Sequence, residues 1–413
     1  AASSEEAQAE GGGAAADEGS PLVNNASIPS AQSRELRRTA ADRAQRLIGD
    51  ICGDMPDAAR IIGCGKTRHQ TAGVVVKQAP EGYAFASGVT TCGSLWGCIS
   101  CSYKIRAKRA ADIAAAVRTH LARGGGVLFA TLTISHKHGE LLEDLWDLIG
   151  DGWSYMTSGN AWQQFKAEYG VTGFIRSVEV THGGNGWHPH IHVLFFLDKP
   201  LTQFTDEEKF FGFRRFVRAR WIHRFAKKHG RDVSQEIGVR IDPVKPDDAT
   251  TVGMYCTKVG FELAMADTKI GRTEGQRHPF AIAKDAADHG DMADVKLLRE
   301  WIRQSKGRKC ITWSLGLRES LIGGEDKTDE ELAAEETEGE TRAVVHADIW
   351  RQIISRRDAA RSRFLMSFEN GGDHQAAVRF LAGLGITVEL DRQGSHPLLR
   401  PPNKPNHQLK GTT

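Results

Sequence analysis

The 413-residue chain has no apolar run near the ~18 residues that a membrane span needs, and its start has no basic-then-apolar leader pattern. A membrane-spanning or secreted protein is therefore not expected, and the cytoplasm is the expected compartment. Cysteine is scarce and uneven: there are seven, five of them between positions 52 and 101. That excludes a disulfide scaffold in a chain of this length. The phosphate-binding pattern G-x-x-x-x-G-K-[ST] is missing, so no built-in helicase motor is expected. Lys and Arg are absent from residues 1–30, which hold five acids and no hydrophobic periodicity. That stretch reads as a disordered acidic tail. What is present is the balance of a soluble globular protein, 40% hydrophobic and 26% charged, long enough for two or three domains.

The net charge of +2 conceals an asymmetry. Residues 1–30 carry −5, residues 325–340 carry −8 and residues 341–413 carry +5, which leaves +10 on residues 31–324. A basic body with acidic flanks points to an anionic partner, and nucleic acid is the usual one.

Hydrophobic periodicity predicts a helix over 33–48, with Leu36, Ala40, Ala44 and Leu47 on one face. A basic helix over 104–123 ends at Gly124-Gly125-Gly126. Strands are expected at 127–134, 174–181, 190–197 and 239–244, with the second and third joined as a hairpin by Gly183-Gly184-Asn185-Gly186. Helices are expected at 141–165, interrupted near Gly150–Gly152, and at 206–229, 254–266 and 292–305. The resulting fold class is α+β: a central, mostly antiparallel sheet with flanking helices on one face. A cysteine-containing N-terminal module precedes it and a small helical C-terminal region follows. The expected divisions are 1–30 tail, 31–123 helix and cysteine module, 124–322 catalytic domain, 323–341 acidic linker, and 342–413 helical unit with a disordered end.

The densest chemistry lies in Trp187-His188-Pro189-His190-Ile191-His192. His190 and His192 are two apart on a strand, so their side chains share one face, and two imidazoles there can bind one divalent metal. Glu179 on the preceding strand folds back toward that face. A carboxylate with two imidazoles suits Mn²⁺, or Mg²⁺ with waters completing the shell. His182 and His188 compete with Glu179 for the third position. A second block is Tyr255-Cys256-Thr257-Lys258. A tyrosine hydroxyl can attack a phosphodiester that a metal polarises, and a lysine one helical turn on can neutralise the charge that develops.

Cys98-Ile99-Ser100-Cys101 is a C-x-x-C turn, with Cys64 and Cys92 upstream. These four are expected to hold a structural Zn²⁺ in a segment with little core of its own, with Cys52 and His69 as substitutes. Cys256 and Cys310 read as packing residues. The segment 209–231 carries nine Lys or Arg. Arg214, Arg215, Arg218 and Arg220 on its polar face are expected to track phosphates. Lys104, Arg106, Lys108 and Arg109 form a second basic patch.

Taken together, these blocks resemble the rolling-circle plasmid replication initiators of the HUH endonuclease superfamily, single-tyrosine type. Phe129-Ala130-Thr131-Leu132-Thr133 resembles their first motif, His190-Ile191-His192 their histidine motif, and Tyr255 to Lys258 their tyrosine motif. His278-Pro279-Phe280 and the stretch 308–318 are also similar to these initiators. The resemblance covers roughly residues 60–320. It implies an HUH palm, related to RRM-like sheets, that binds origin DNA, single-stranded or supercoiled, and nicks one strand. Tyr255 would keep the 5′ end as a phosphotyrosine, the free 3′-OH would prime a host polymerase, and a second transfer would close the displaced circle. A host helicase is a further implied partner. Some members place a glutamate four residues before the tyrosine. This chain has Thr251 there, with Asp247, Asp248 and Glu262 as the nearest substitutes. A transposase or relaxase of the same superfamily, a zinc-dependent DNA-binding regulator without catalysis, and a metallohydrolase with a diffusible nucleophile are the competing readings.

Overall fold

The computed structural model describes residues 31–67, 73–204, 207–234, 238–244, 275–356 and 359–402. The tail 1–30, the helix expected at 254–266, and Tyr255, Lys258, Thr251, Asp247, Asp248, Glu262, Cys256 and His69 lie outside the described residues.

Among the described residues the architecture is α+β with two sheets. The larger one is built on a long hairpin, β4 (Val171–Gly183) and β5 (Gly186–Leu197), rich in valine, isoleucine and phenylalanine, with β5 alternating histidine and apolar residues at its start and continuously apolar over its last five residues. The two-residue turn between them relies on Gly186, whose φ of 88° is open to glycine and costly for other residues. On the far side of β5 lie β3 (Gly126–Leu132) and then β6 (Val239–Pro243). β7 (Gln276–Arg277) and β8 (Ile311–Trp313) both pair with β4. Every pairing in this sheet is antiparallel.

One face of the sheet buries Trp187, Ile191, Val193 and Phe195. They pack with residues of α4 (Leu142–Met156), α5 (Gly159–Tyr169), α6 (Glu207–His229), α7 (Pro279–His289) and α8 (Met292–Ser305). The opposite face buries Phe129, Ile175, Leu194 and Phe196 against Ile113, Ala114 and Val117 of α3 (Ile99–Ala122). Helices therefore flank both faces, where the sequence pattern placed them on one. The alanine-rich apolar stripe of α3 is what makes the second layer. The interruption expected near Gly150–Gly152 is also corrected. α4 runs through both glycines and breaks at Thr157–Ser158. Gly152 is there for close packing: a Cβ would lie 2.5 Å from the Phe225 ring and 3.0 Å from Trp221.

α1 (Ala31–Ile51) buries Ala40, Ala41, Ala44 and Ile48, while Leu36 is exposed. It is followed by α2 (Pro56–Gly63) and by β1 (Val74–Gln78) and β2 (Ala84–Ser87). β1 pairs with β9 (Glu340–Val345), and β9 pairs in parallel with β11 (His396–Arg400), whose other neighbour is β10 (Glu389–Gln393). The C-terminal region has the expected helices, α11 (Ala347–Ser355), α12 (Ala360–Met366) and α13 (His374–Gly383). It also contributes strands to a sheet shared with residues 74–87. Short helices α9 (Leu317–Leu321) and α10 (Asp329–Ala334) precede it. The acidic segment read as a linker thus holds a helix, closed by a Thr328–Glu331 capping box. No helix among the described residues is long and apolar enough to cross a membrane.

Candidate metal centres and nucleic-acid surface

The register of the hairpin sets Glu179 directly opposite His190 and Ser177 opposite His192. With a period of two, Glu179, His190 and His192 all face the α3 side of the sheet, beyond the end that α3 covers. The Glu179 Oε2 atom lies 2.9 Å from His190 Nε2 and 2.8 Å from His192 Nε2. All three side chains are 11–14% exposed. Burial acts to raise the Glu179 carboxyl, yet the two imidazoles hold it well below the usual carboxylate range. The outer ring nitrogens are also engaged. His192 Nδ1 is 3.1 Å from Thr131 Oγ1, and His190 Nδ1 is 3.4 Å from the His188 carbonyl. Each Nε2–H donates to Glu179 Oε2. A divalent ion bound between the three groups would take the place of those two protons, with the ring protons then on the outward Nδ1 atoms.

The donor set fits a hard divalent ion. An octahedral ion with bonds of about 2.0–2.1 Å places adjacent ligands about 2.9 Å apart, close to the two measured separations. The other contenders for the third position are placed differently. His182 points to the opposite face, with its ring 4.9 Å from the Trp187 indole. His188 shares the face but lies against His136, with the ring centroids 4.6 Å apart and tilted by 32°, and burial pushes its imidazole down to about 4. Two residues in the site were not singled out as site residues from the sequence. Thr131 lies in the stretch resembling the first motif, and His278 opens α7 with Nδ1 3.4 Å from Glu179 Oε1.

Cys64, Cys92, Cys98 and Cys101 converge at the end of α2 and the start of α3. The sulfur separations are 3.6 Å for Cys64–Cys101, 3.6 Å for Cys92–Cys101 and 3.8 Å for Cys98–Cys64. They are far longer than a disulfide bond, and the cysteines are free. A tetrahedral ion with Zn–S bonds of about 2.3 Å sets its sulfurs about 3.8 Å apart, so the cluster has the dimensions of a Cys₄ zinc site. Hydrogen bonding from its three neighbours drives the Cys64 thiol far down, while contact with the other sulfurs and burial hold Cys98 up. Cys52 stands outside the group, and Cys310 is buried beside Arg106 and Ser177.

On α6, the residues Phe211, Arg214, Arg215, Arg218, Ile222 and His223 line an open groove of about 610 Å³. Phe211 is 64% exposed. Arg220 is not among the lining residues. It bonds the carbonyls of Tyr155 and Ser158 and sits 4.5 Å over the Tyr155 ring, closing the C-terminus of α4. The second basic patch is also altered. Arg106 is buried over Trp96. Lys104 bonds the Ala333 and Glu335 carbonyls, Lys108 pairs with Glu335, and Arg109 pairs with Asp326 and Asp329. The chain's own acidic segment occupies that surface.

With this geometry in place, comparison with known proteins decides the lineage. The replication-protein family Rep_1 matches residues 87–359, about two thirds of the chain. The chain belongs to this family of replication proteins. "Protein rep" of Streptomyces lividans is 28% identical over 385 residues, covering 74% of this chain and 82% of that protein. A second relative, named "Neomycin resistance protein", from Streptomyces cyanogenus, is 31% identical over 148 residues, 30% of this chain and 34% of its own length. No solved structure matches. Membership bears out the resemblance to plasmid replication initiators.

Proposed function

We propose that this replication protein starts rolling-circle plasmid replication by nicking one strand at an origin and joining itself to the DNA. The observation that carries this reading is the carboxylate of Glu179 held between the Nε2 atoms of His190 and His192 on one sheet face. A bound Mn²⁺ or Mg²⁺ would polarise the scissile phosphate there. Glu179, His190 and His192 hold and orient that ion. The Tyr255 hydroxyl attacks phosphorus, the new tyrosyl O–P bond replaces the P–O3′ bond, and the 3′ oxygen leaves as a hydroxyl. The phenolic proton passes to solvent, and solvent supplies the proton that makes the leaving 3′ oxygen a hydroxyl. Lys258 neutralises charge on the phosphate as it is attacked.

The catalytic unit spans residues 124–322. Arg214, Arg215 and Arg218 guide a single strand along α6, with Phe211 as a stacking surface. The four cysteines hold Zn²⁺ as a structural ion. A host polymerase extends the 3′ end, and a host helicase opens the duplex ahead of it. Acting on plasmid DNA, the protein works in the cytoplasm.

The test uses a randomised single-stranded DNA pool with Mn²⁺ and sequencing of cleaved ends. Wild type is expected to cut at a preferred sequence and EDTA to stop it. His190→Ala and His192→Ala should each lower the rate by at least about 100-fold, the scale of a lost metal ligand or its support. Cleavage at an unchanged rate in both variants would refute the metal site.

A further inference from the structure

We propose that His278 is a positioning residue: it holds the outer oxygen of Glu179 so that the inner oxygen stays turned to His190 and His192. The inference rests on the reading of these three residues as a metal site. Glu179 has two oxygens with different surroundings. Oε2 meets both imidazoles, at 2.9 and 2.8 Å. Oε1 faces the buried His278 Nδ1 at 3.4 Å, within ion-pair range though not aligned as a hydrogen bond. A carboxylate fixed through one oxygen presents the other at a defined angle, whereas an unsupported one rotates about its last bond.

The backbone around His278 is fixed from several directions. β7 is pinned to β4 by pairing of Arg277 with His182 and of Gln276 with Gly183. Gln276 Oε1 accepts from Thr181 Oγ1 at 3.1 Å. Gly183 permits the approach, since a Cβ there would lie 2.6 Å from the Gly275 carbonyl. The Arg277 guanidinium is held by Asp294 at 2.6 and 2.7 Å and by Asp285 at 3.1 Å. Pro279 then fixes the first residue of α7, and the His278 carbonyl accepts from Ala281 and Ile282. His278 itself is 4% exposed. So much fixed backbone around one buried imidazole beside the carboxylate is what a support for Glu179 requires. A space-filling aromatic would have no need of a nitrogen facing Oε1.

The test measures Mn²⁺ binding by calorimetry and by spin-echo modulation, which counts coordinated imidazoles. His278→Phe keeps the volume and removes the donor, while His278→Asn keeps a donor. Metal-free thermal melts establish that each variant folds. Wild type should bind one Mn²⁺ at this site with two imidazoles. His278→Phe should bind about 10- to 100-fold more weakly, and His278→Asn should recover most of the loss. If His278→Phe does not fold, His278→Leu replaces it as the variant without a donor, with the same weakening expected and equal affinity overturning the role. Equal affinity in His278→Phe, loss of affinity in a folded His278→Asn, or a third imidazole in wild type would overturn the positioning role. Failure of wild type to bind Mn²⁺ would instead overturn the metal reading on which it rests.

Discussion

At the scale of single residues, parity and charge decide what each side chain does. Glu179, His190 and His192 were legible in the sequence because strand alternation is a local property: two residues apart means one face. The same rule sends His182 to the other face. His278 could not be reached this way. Its closeness to Glu179 comes from pairing of β7 with β4, a contact between distant parts of the chain that no local pattern encodes. Charge placement gives a pH prediction at Asp151, which Arg224, Lys228 and His229 surround at 2.7–2.8 Å. The Arg224 fork, followed by the hydrogen bonds from His229 and Lys228, holds this carboxyl below its ordinary range. A folded pKa below the unfolded one adds stability above about pH 4 and loses it as the pH falls toward the folded value. Asp151→Asn should therefore cost about 1 kcal/mol at pH 7, discounted for the partial exposure of the side chain. In thermal melts the gap between the two proteins should close below about pH 4. A gap that stayed constant down to pH 2 would contradict the assignment.

At the scale of elements, the hairpin and the long helices were readable from periodicity, and α8 has the expected bounds, 292–305. The misreading at Gly150–Gly152 has a physical cause. Glycine breaks helices by entropy, but here the absent side chain lets Phe225 and Trp221 come close, and tertiary packing overrides the local preference. α6 shows the same limit on its polar face. Arginines on one helix looked alike in sequence, yet Arg220 serves the end of α4 while Arg214, Arg215 and Arg218 border the groove. The difference is measurable as salt dependence. Replacing the three groove arginines by alanine should reduce the slope of log affinity against log salt by about 2 for single-stranded DNA, at about 0.7 per lost phosphate contact. Arg220→Ala should leave that slope unchanged and lower the melting temperature instead. A slope change from Arg220→Ala as large as that from the groove variants would contradict the division.

At the scale of the whole molecule, the α+β class and the cysteine module were legible, and the sheet shared by residues 74–87 and 340–400 was not. β1 and β9 are separated by most of the chain, and nothing in either short apolar run names its partner. The docking of the acidic segment on α3 was hidden for a similar reason. Charge runs are visible in sequence, but which run meets which is not. The four cysteines tie α2, the loop at Cys92 and the start of α3 into one knot. The protein as isolated should therefore contain one zinc per chain by elemental analysis. Cys98→Ser should abolish it and lower stability by about 3 kcal/mol or more, about 10 °C in melting temperature. Full stability without zinc would remove the structural role.

The central claim is that a tyrosine in this chain becomes joined to DNA with the help of the Glu179–His190–His192 site. The most direct measurement offers a single-stranded DNA pool, labelled at either end, to wild type and to Tyr255→Phe, with Mn²⁺ or with EDTA, on a denaturing protein gel. The account predicts a labelled protein band that needs both Tyr255 and metal, with the label retained from the 3′ side of the cut, because the tyrosine holds the new 5′ phosphate. Cleavage that persists in Tyr255→Phe with no protein-bound label would contradict it and make the enzyme a hydrolase that uses water.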